Sequence, residues 1–288
     1  MRDQTRVDYS PTVERDYDLP DGNNVAVWVV LNIEHFKIDE PAESIHPPAA
    51  ENEPDILNFG WRDYGLRAGF WRMLDILDRH DVRASVMLNS EVCEHEPQVV
   101  EAGMKRDWEF LGHGITNTME MHEYDDERAA IRQVRDDIAD FTGERPRGWL
   151  GPALAESYDT PDYLAELGFD YLSDWCNDDQ PYAFNVAEGD LINVPYSIEI
   201  NDIPMTLGYG MTGRQIGEAI KDQFDWYYEE GKRPGNGRVM AIALHPFITG
   251  QPFRAKYLDE ALEYIVQHDD AWLTTGEEIA DHYYENYY

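Results

Sequence analysis

The nine residues Val25–Ile33 (VAVWVVLNI) are apolar but for Asn32, largely β-branched and without polar alternation, shortly after the turn Asp21-Gly22. A strand written this way has both faces covered, as in a parallel sheet with helices on either side. A second such run, Val239–Leu244, stands near the other end of the chain. Further strands are predicted at Arg83–Leu88, Trp108–Gly112, Arg147–Leu150, Phe169–Ser173, Leu191–Val194 and Ala271–Leu273. Amphipathic helices are predicted between them: Gly65–Arg79, Pro97–Lys105, Asp126–Phe141, one from Thr160-Pro161 to about Leu167, and Tyr257–Gln267. A capping box of Thr212 and Gln215 opens another helix that runs to about Glu230, and Thr275 with Glu278 is expected to cap the last. Seven or eight strand–helix units close more naturally into a barrel than into an open sheet. No Gly/Ser/Pro linker divides the 288 residues, so one domain over 1–288 is expected, with an N-terminal arm at 1–22 and a long Pro/Glu-rich loop at 37–62.

The chain carries 58 acidic and 23 basic side chains, a net charge of -35. That excess excludes nucleic acid and anionic membrane surfaces as partners, both of which need basic patches. Lysine is scarce and arginine commoner; with the acid excess, this is the pattern of a salt-adapted surface. No apolar run reaches the roughly 18 residues of a membrane span. The polar N-terminus contains no signal core, so a cytoplasmic location is expected. Cys93 and Cys176 lie outside any CxxC motif and read as reduced, structural thiols.

Active-site groups of parallel barrels collect at the C-terminal ends of strands. The first strand ends in Asn32-Ile33-Glu34-His35, the third in Gly112-His113-Gly114-Ile115-Thr116-Asn117, and the run Val239–Leu244 in His245-Pro246-Phe247. Glycines on both sides of His113 let the backbone approach whatever it binds. Trp149 follows the fourth strand's start, and Trp175, Asp178 and Tyr182 lie in the turn after the fifth. One strand-end histidine is ordinary; three strand ends carrying histidine, one beside a glutamate, point to a site.

In this order and spacing, several stretches resemble the NodB-homology polysaccharide deacetylases. They are Leu31-Asn32-Ile33-Glu34, Tyr64-Gly65-Leu66-Arg67-Ala68-Gly69-Phe70-Trp71-Arg72, Gly112-His113-Gly114, Arg145-Pro146-Arg147-Gly148-Trp149, Gly168–Asp174 running into Asp178–Tyr182, and Leu244-His245-Pro246. The likeness spans about residues 25–285 and is closer to the branch holding cofactor-independent allantoinases and related peptidoglycan deacetylases. It implies a deformed (β/α)7-8 barrel, a hydrolase of non-peptide carbon–nitrogen bonds and a homo-oligomer, a dimer or tetramer. The aromatic C-terminus, Tyr283–Tyr288, is one place for such an interface; covering the barrel bottom is the other.

The metal-dependent members carry an aspartate pair after the first strand and a second histidine four residues beyond the third-strand one. Here those places read Asn32-Ile33-Glu34-His35 and Asn117, and asparagine is a poor zinc ligand. No bound metal is therefore expected; zinc or another divalent ion would have to use Glu34, His35 and His113, although alternation points Glu34 and His35 oppositely.

The expected reaction is hydrolysis of a small cytosolic ureide or N-acyl compound. Glu34, its pKa raised by burial, is the general base, and His245 protonates the leaving nitrogen. His113 orients water or polarises the carbonyl, while His35, Asn117, Trp149, Trp175, Asp178 and Tyr182 bind substrate. Two rivals stand beside this reading: a metal-dependent deacetylase of N-acetyl amino sugars, and an inactive barrel that binds a small ligand.

Overall fold

The computed structural model describes residues 6–7, 10–39 and 45–288. Residues 1–5 and 8–9 of the expected arm and 40–44 of the expected loop lie outside the described residues. In chain order the elements are β1 (Val25–Ile33), α1 (Ile56–Tyr64), α2 (Phe70–His80), β2 (Ala84–Leu88), α3 (Glu91–His95), α4 (Pro97–Met104), β3 (Glu109–Gly112), α5 (Glu127–Thr142), β4 (Gly148–Trp149), α6 (Thr160–Glu166), β5 (Tyr171–Leu172), β6 (Tyr182–Ala183), β7 (Ile192–Asn193), α7 (Gly213–Gly231), β8 (Arg238–Leu244), α8 (Pro252–Ile265), β9 (Ala271–Thr274) and α9 (Gly276–Asn286).

The strands form one sheet in the order β6-β7-β5-β4-β3-β2-β1-β8, with β9 paired to the first half of β1. Every pairing is parallel except β6 with β7. The sheet curls into a half-barrel, and the deformation has a local cause. The β6–β7 hairpin takes the place of a strand–helix unit, so the curl is not completed by a full-length strand. The gap is crossed instead by the segment 195–202: Trp28 Nε1 donates to the Pro195 carbonyl at 3.1 Å, and Asn201 forms a bridge to Ala243.

Both faces of the sheet are apolar, as the unalternating runs require. Val25, Val27, Val29, Leu31 and Ile33 pack outward against the helices. Ala26, Trp28 and Val30 point inward and meet Met87, Leu111, Leu150, Tyr171, Val239, Ala241 and Ala243. Each large apolar side chain buried this way contributes roughly 1.5–3 kcal/mol. Ile279 and Ala280 of α9 close the interior from below. The C-terminal tyrosines fold back on the same chain: Tyr284 donates to the Asp170 carbonyl, and Tyr287 packs on Tyr17 and bonds Asp18. They cover the barrel bottom.

Three local expectations change. Residues 37–62 are not one loop, because α1 begins at Ile56 with Asp55 accepting from the Asn58 amide as its cap. The helix predicted over Gly65–Arg79 opens with a π-helical segment at Gly65–Gly69 and continues as α2, and α1 runs directly into it from the N-terminal side. A Cβ on Gly69 would stand 2.1 Å from the Pro246 carbonyl oxygen, and one on Gly65 2.9 Å from the Phe247 nitrogen. Those glycines therefore let this segment lie directly on the turn after β8. Finally, only half of the expected capping box forms: Glu278 accepts from the Thr275 backbone and from Thr274 and pairs with Arg83, but the Thr275 side chain makes no capping bond.

Candidate active site

Inward-facing parity carries on past the strand ends. From Ala26, Trp28 and Val30 it reaches Asn32 and then Glu34; from Leu111 it reaches His113; from Ala243 it reaches His245. The registers Ile33↔Leu88, Leu88↔Gly112 and Leu31↔Leu244 bring the three ends to neighbouring levels of the interior. Glu34 Oε1 lies 3.7 Å from His113 Nε2 and 3.8 Å from His245 Nε2. The three side chains, each less than a tenth exposed, line a cleft of about 500 Å³ together with Asn32, Arg62, Asn117, Leu150 and Tyr196.

Each group is fixed from behind. His113 Nδ1 lies 2.7 Å from the Leu150 carbonyl, an acceptor only, so Nδ1 carries a proton and Nε2 is the nitrogen turned toward Glu34. Asp202, fully buried, accepts from His245 Nδ1 at 2.7 Å, from the His245 backbone amide at 2.9 Å and from Thr249 Oγ1 at 2.5 Å. Asn117 Nδ2 donates to Glu34 Oε1 at 2.8 Å. Asn89, also buried, ties two strand ends together by accepting from the His35 amide and donating to the His113 carbonyl.

The charges oppose what burial alone would do. Desolvation pushes the Glu34 carboxyl up, but His113, His245 and Arg62 together outweigh it and hold it below its ordinary value. The expectation of a raised Glu34 pKa is thus reversed, because burial came with cationic neighbours. Desolvation likewise pushes His245 down, and Asp202 with Glu34 outweighs that and raises it. The cleft holds an ionised carboxylate beside an imidazole that favours its proton. Burial also raises the Tyr196 phenol, which stays protonated; its oxygen lies 3.1 Å from Asn32 Nδ2.

Other expected site residues lie elsewhere. His35 points out of the cleft, stacked on His95 with ring centroids 4.4 Å apart, as strand alternation requires. Trp149 is a core residue, fully buried against Phe169. The glycines around His113 serve that packing: a Cβ on Gly112 would meet the Trp149 ring, and one on Gly114 would meet Pro152. Trp175 donates to Glu156 and packs edge-on against Phe184, outside the cleft. Asp178 pairs with Arg15, and Tyr182 donates to Asn177; both line a neighbouring cavity of about 650 Å³ beneath the N-terminal arm. Of the six, Asn117 alone lines the cleft.

Sequence reasoning missed Asp202, Asn89, Arg62 and Tyr196. Tyr196 had a signal, since it shares parity with Ile192 and Val194. Asp202 and Arg62 sit in irregular or helical segments whose approach to the cleft is purely tertiary, and no local pattern marks them.

The donor set does not fit a resident zinc. The imagined set Glu34, His35 and His113 fails because His35 faces away. Among the described residues, Glu34, His113 and His245 are not a set whose ligand atoms all lie within 4.8 Å of one another. Ligands at about 2.1 Å cannot be more than about 4.2 Å apart across one ion. Asn117 stands where a third strong donor would be needed, and it turns its amide nitrogen toward Glu34.

The polysaccharide deacetylase family model matches residues 59–172. A Schizosaccharomyces pombe protein bearing the name of a polysaccharide deacetylase is 29% identical over 239 residues, 76% of this chain and 73% of that one. The peptidoglycan deacetylase of Helicobacter pylori is 24% identical over 85% of this chain and 92% of its own length. The solved Puue allantoinase superposes with a TM-score of 0.84 at 25% identity, covering 97% of this chain and 95% of its own. In sequence over residues 59–172 and in fold over nearly its whole length, this chain is similar to polysaccharide deacetylases and to an allantoinase of the same architecture.

Proposed function

We propose that the cleft hydrolyses a non-peptide carbon–nitrogen bond of a small cytosolic ureide or N-acyl compound by general acid–base catalysis. The observation that carries this reading is the convergence of Glu34, His113 and the Asp202–His245 pair on one buried cleft. Glu34, kept ionised by its neighbours, accepts a proton from water held between it and His113 Nε2. The resulting hydroxide attacks the carbonyl carbon. The Tyr196 hydroxyl, protonated and inside the cleft, is the donor we assign to the developing oxyanion. His245, its protonated form favoured by Asp202, gives a proton to the leaving nitrogen as the carbon–nitrogen bond breaks.

The test is turnover of allantoin, hydantoin-like ureides and N-acetyl amino sugars, with and without divalent metals. Metal-independent hydrolysis of one ureide or amide supports the proposal. Activity that appears only with added metal and is lost on chelation favours the amino-sugar deacetylase reading. Tight binding of such compounds without turnover under any condition favours an inactive barrel.

A further inference from the structure

We propose a second ligand site outside the cleft: a divalent transition-metal site, with zinc as its best occupant, formed by His35, Glu91 and His95. Among the described residues, these three are the set of histidine, cysteine and carboxylate groups whose ligand atoms all lie within 4.8 Å of one another. Two imidazoles and a carboxylate are a donor set that borderline ions such as zinc favour, with water completing the shell.

The sequence places them by two independent rules. Glu91 and His95 are four residues apart on α3, so they share one face of the helix. His35 follows Glu34 and therefore turns outward where Glu34 turns inward. The outward histidine lands against that helix face and stacks on His95, whose exposed ring turns out of the stack for both imidazoles to meet one ion.

Two further observations point to a cation. Glu96 Oε2 lies 3.2 Å from His35 Nδ1, the carboxylate-behind-histidine arrangement that orients an imidazole for a metal on its other nitrogen. Glu91 Oε2 is buried and has no hydrogen-bond partner, while Oε1 is held by Lys37 at 3.0 Å. A buried carboxylate oxygen without a donor is unfavourable, and a cation in the cluster satisfies it. His95 is exposed, so its ring has the freedom to close the remaining distance.

An ion here joins α3 to the end of β1. His35 is held through its amide by Asn89 and through its carbonyl by Asn117 and Thr116. Binding would therefore rigidify the turn that presents Glu34, without touching the cleft.

The test is calorimetric titration of zinc into the full-length, chelator-treated protein, repeated on H95A, E91Q and H113N. The expected result is one saturable site of micromolar affinity, weakened at least tenfold in H95A and E91Q and unchanged in H113N. Cobalt binding should give tetrahedral absorption bands that H95A abolishes. Only weak, non-saturating uptake by the acidic surface would overturn the proposal. So would equal affinity in H95A, or loss of the site in H113N, which would put the ion in the cleft.

Discussion

Replacing Asp202 with asparagine removes one charge and almost no volume, so it isolates what that carboxylate does for His245. Asp202 accepts three hydrogen bonds, two from His245 and one from Thr249, and is fully buried. An asparagine keeps one acceptor oxygen and presents an amide nitrogen on the other side, which opposes a protonated Nδ1. Loss of a hydrogen bond to a charged buried group costs about 1.5–3 kcal/mol in stability. The change in acidity matters more. Burial alone pushes His245 down and Asp202 is the first of the groups pushing it up. Without that charge the His245 pKa should fall below its ordinary value. The alkaline limb of kcat, which reports loss of the acid, then moves to lower pH, and kcat at neutral pH falls by roughly 10²–10⁴. NMR titration of the His245 ring reads the same shift with no substrate at all. An unchanged His245 titration, or turnover within about threefold of the parent protein, would refute this account of the pair.

Other outcomes follow from the same structure. In the parent protein the acid limb of kcat should lie below the ordinary glutamate value, because the base, Glu34, is held down rather than up; a limb near pH 6 would contradict this. Burial pushes Glu109, under the barrel, up to about 7. With a raised folded-state pKa, its stabilising protonated form is fully present below about pH 4.5 and is lost as pH rises through 7. Relative to E109Q, the parent should lose roughly 3 kcal/mol of unfolding free energy between those limits at 1.36 kcal/mol per pKa unit, read from urea midpoints. Gly69→Ala forces a Cβ against the Pro246 carbonyl and should destabilise by about 1–3 kcal/mol and lower kcat, whereas Gly60→Ala on α1, with nothing within 4 Å, should be neutral or stabilising. A net charge of -35 predicts a melting temperature that rises with added sodium chloride; a flat dependence would remove salt adaptation from the account.

The parts of the molecule legible in the sequence are those set by local periodicity. The run at Val25–Ile33 fixes a doubly covered strand, and its parity alone sends Glu34 inward and His35 outward. The histidines after β3 and β8 follow the same rule. What stayed hidden depends on where distant segments meet. Trp149 lies on a two-residue strand, too short for its parity to be read, and faces the helices instead of the cleft. The glycines beside His113 suggested ligand approach, yet they make room for Trp149 and Pro152, as Gly65 and Gly69 make room for the turn carrying His245. The sign of the Glu34 shift was unreadable for the same reason. Burial could be inferred from the strand, but the cations around it come from α1, β3 and β8.

The most direct test of the catalytic centre is kcat on the compound turned over fastest, measured for E34Q, H245A and the double variant, with folding checked by circular dichroism. Because the two groups serve one acid–base step, each single variant should lose roughly 10²–10⁴-fold, and the double variant should be little worse than the poorer single one. Near-normal turnover in folded E34Q and H245A would mean that the chemistry happens somewhere else on the molecule.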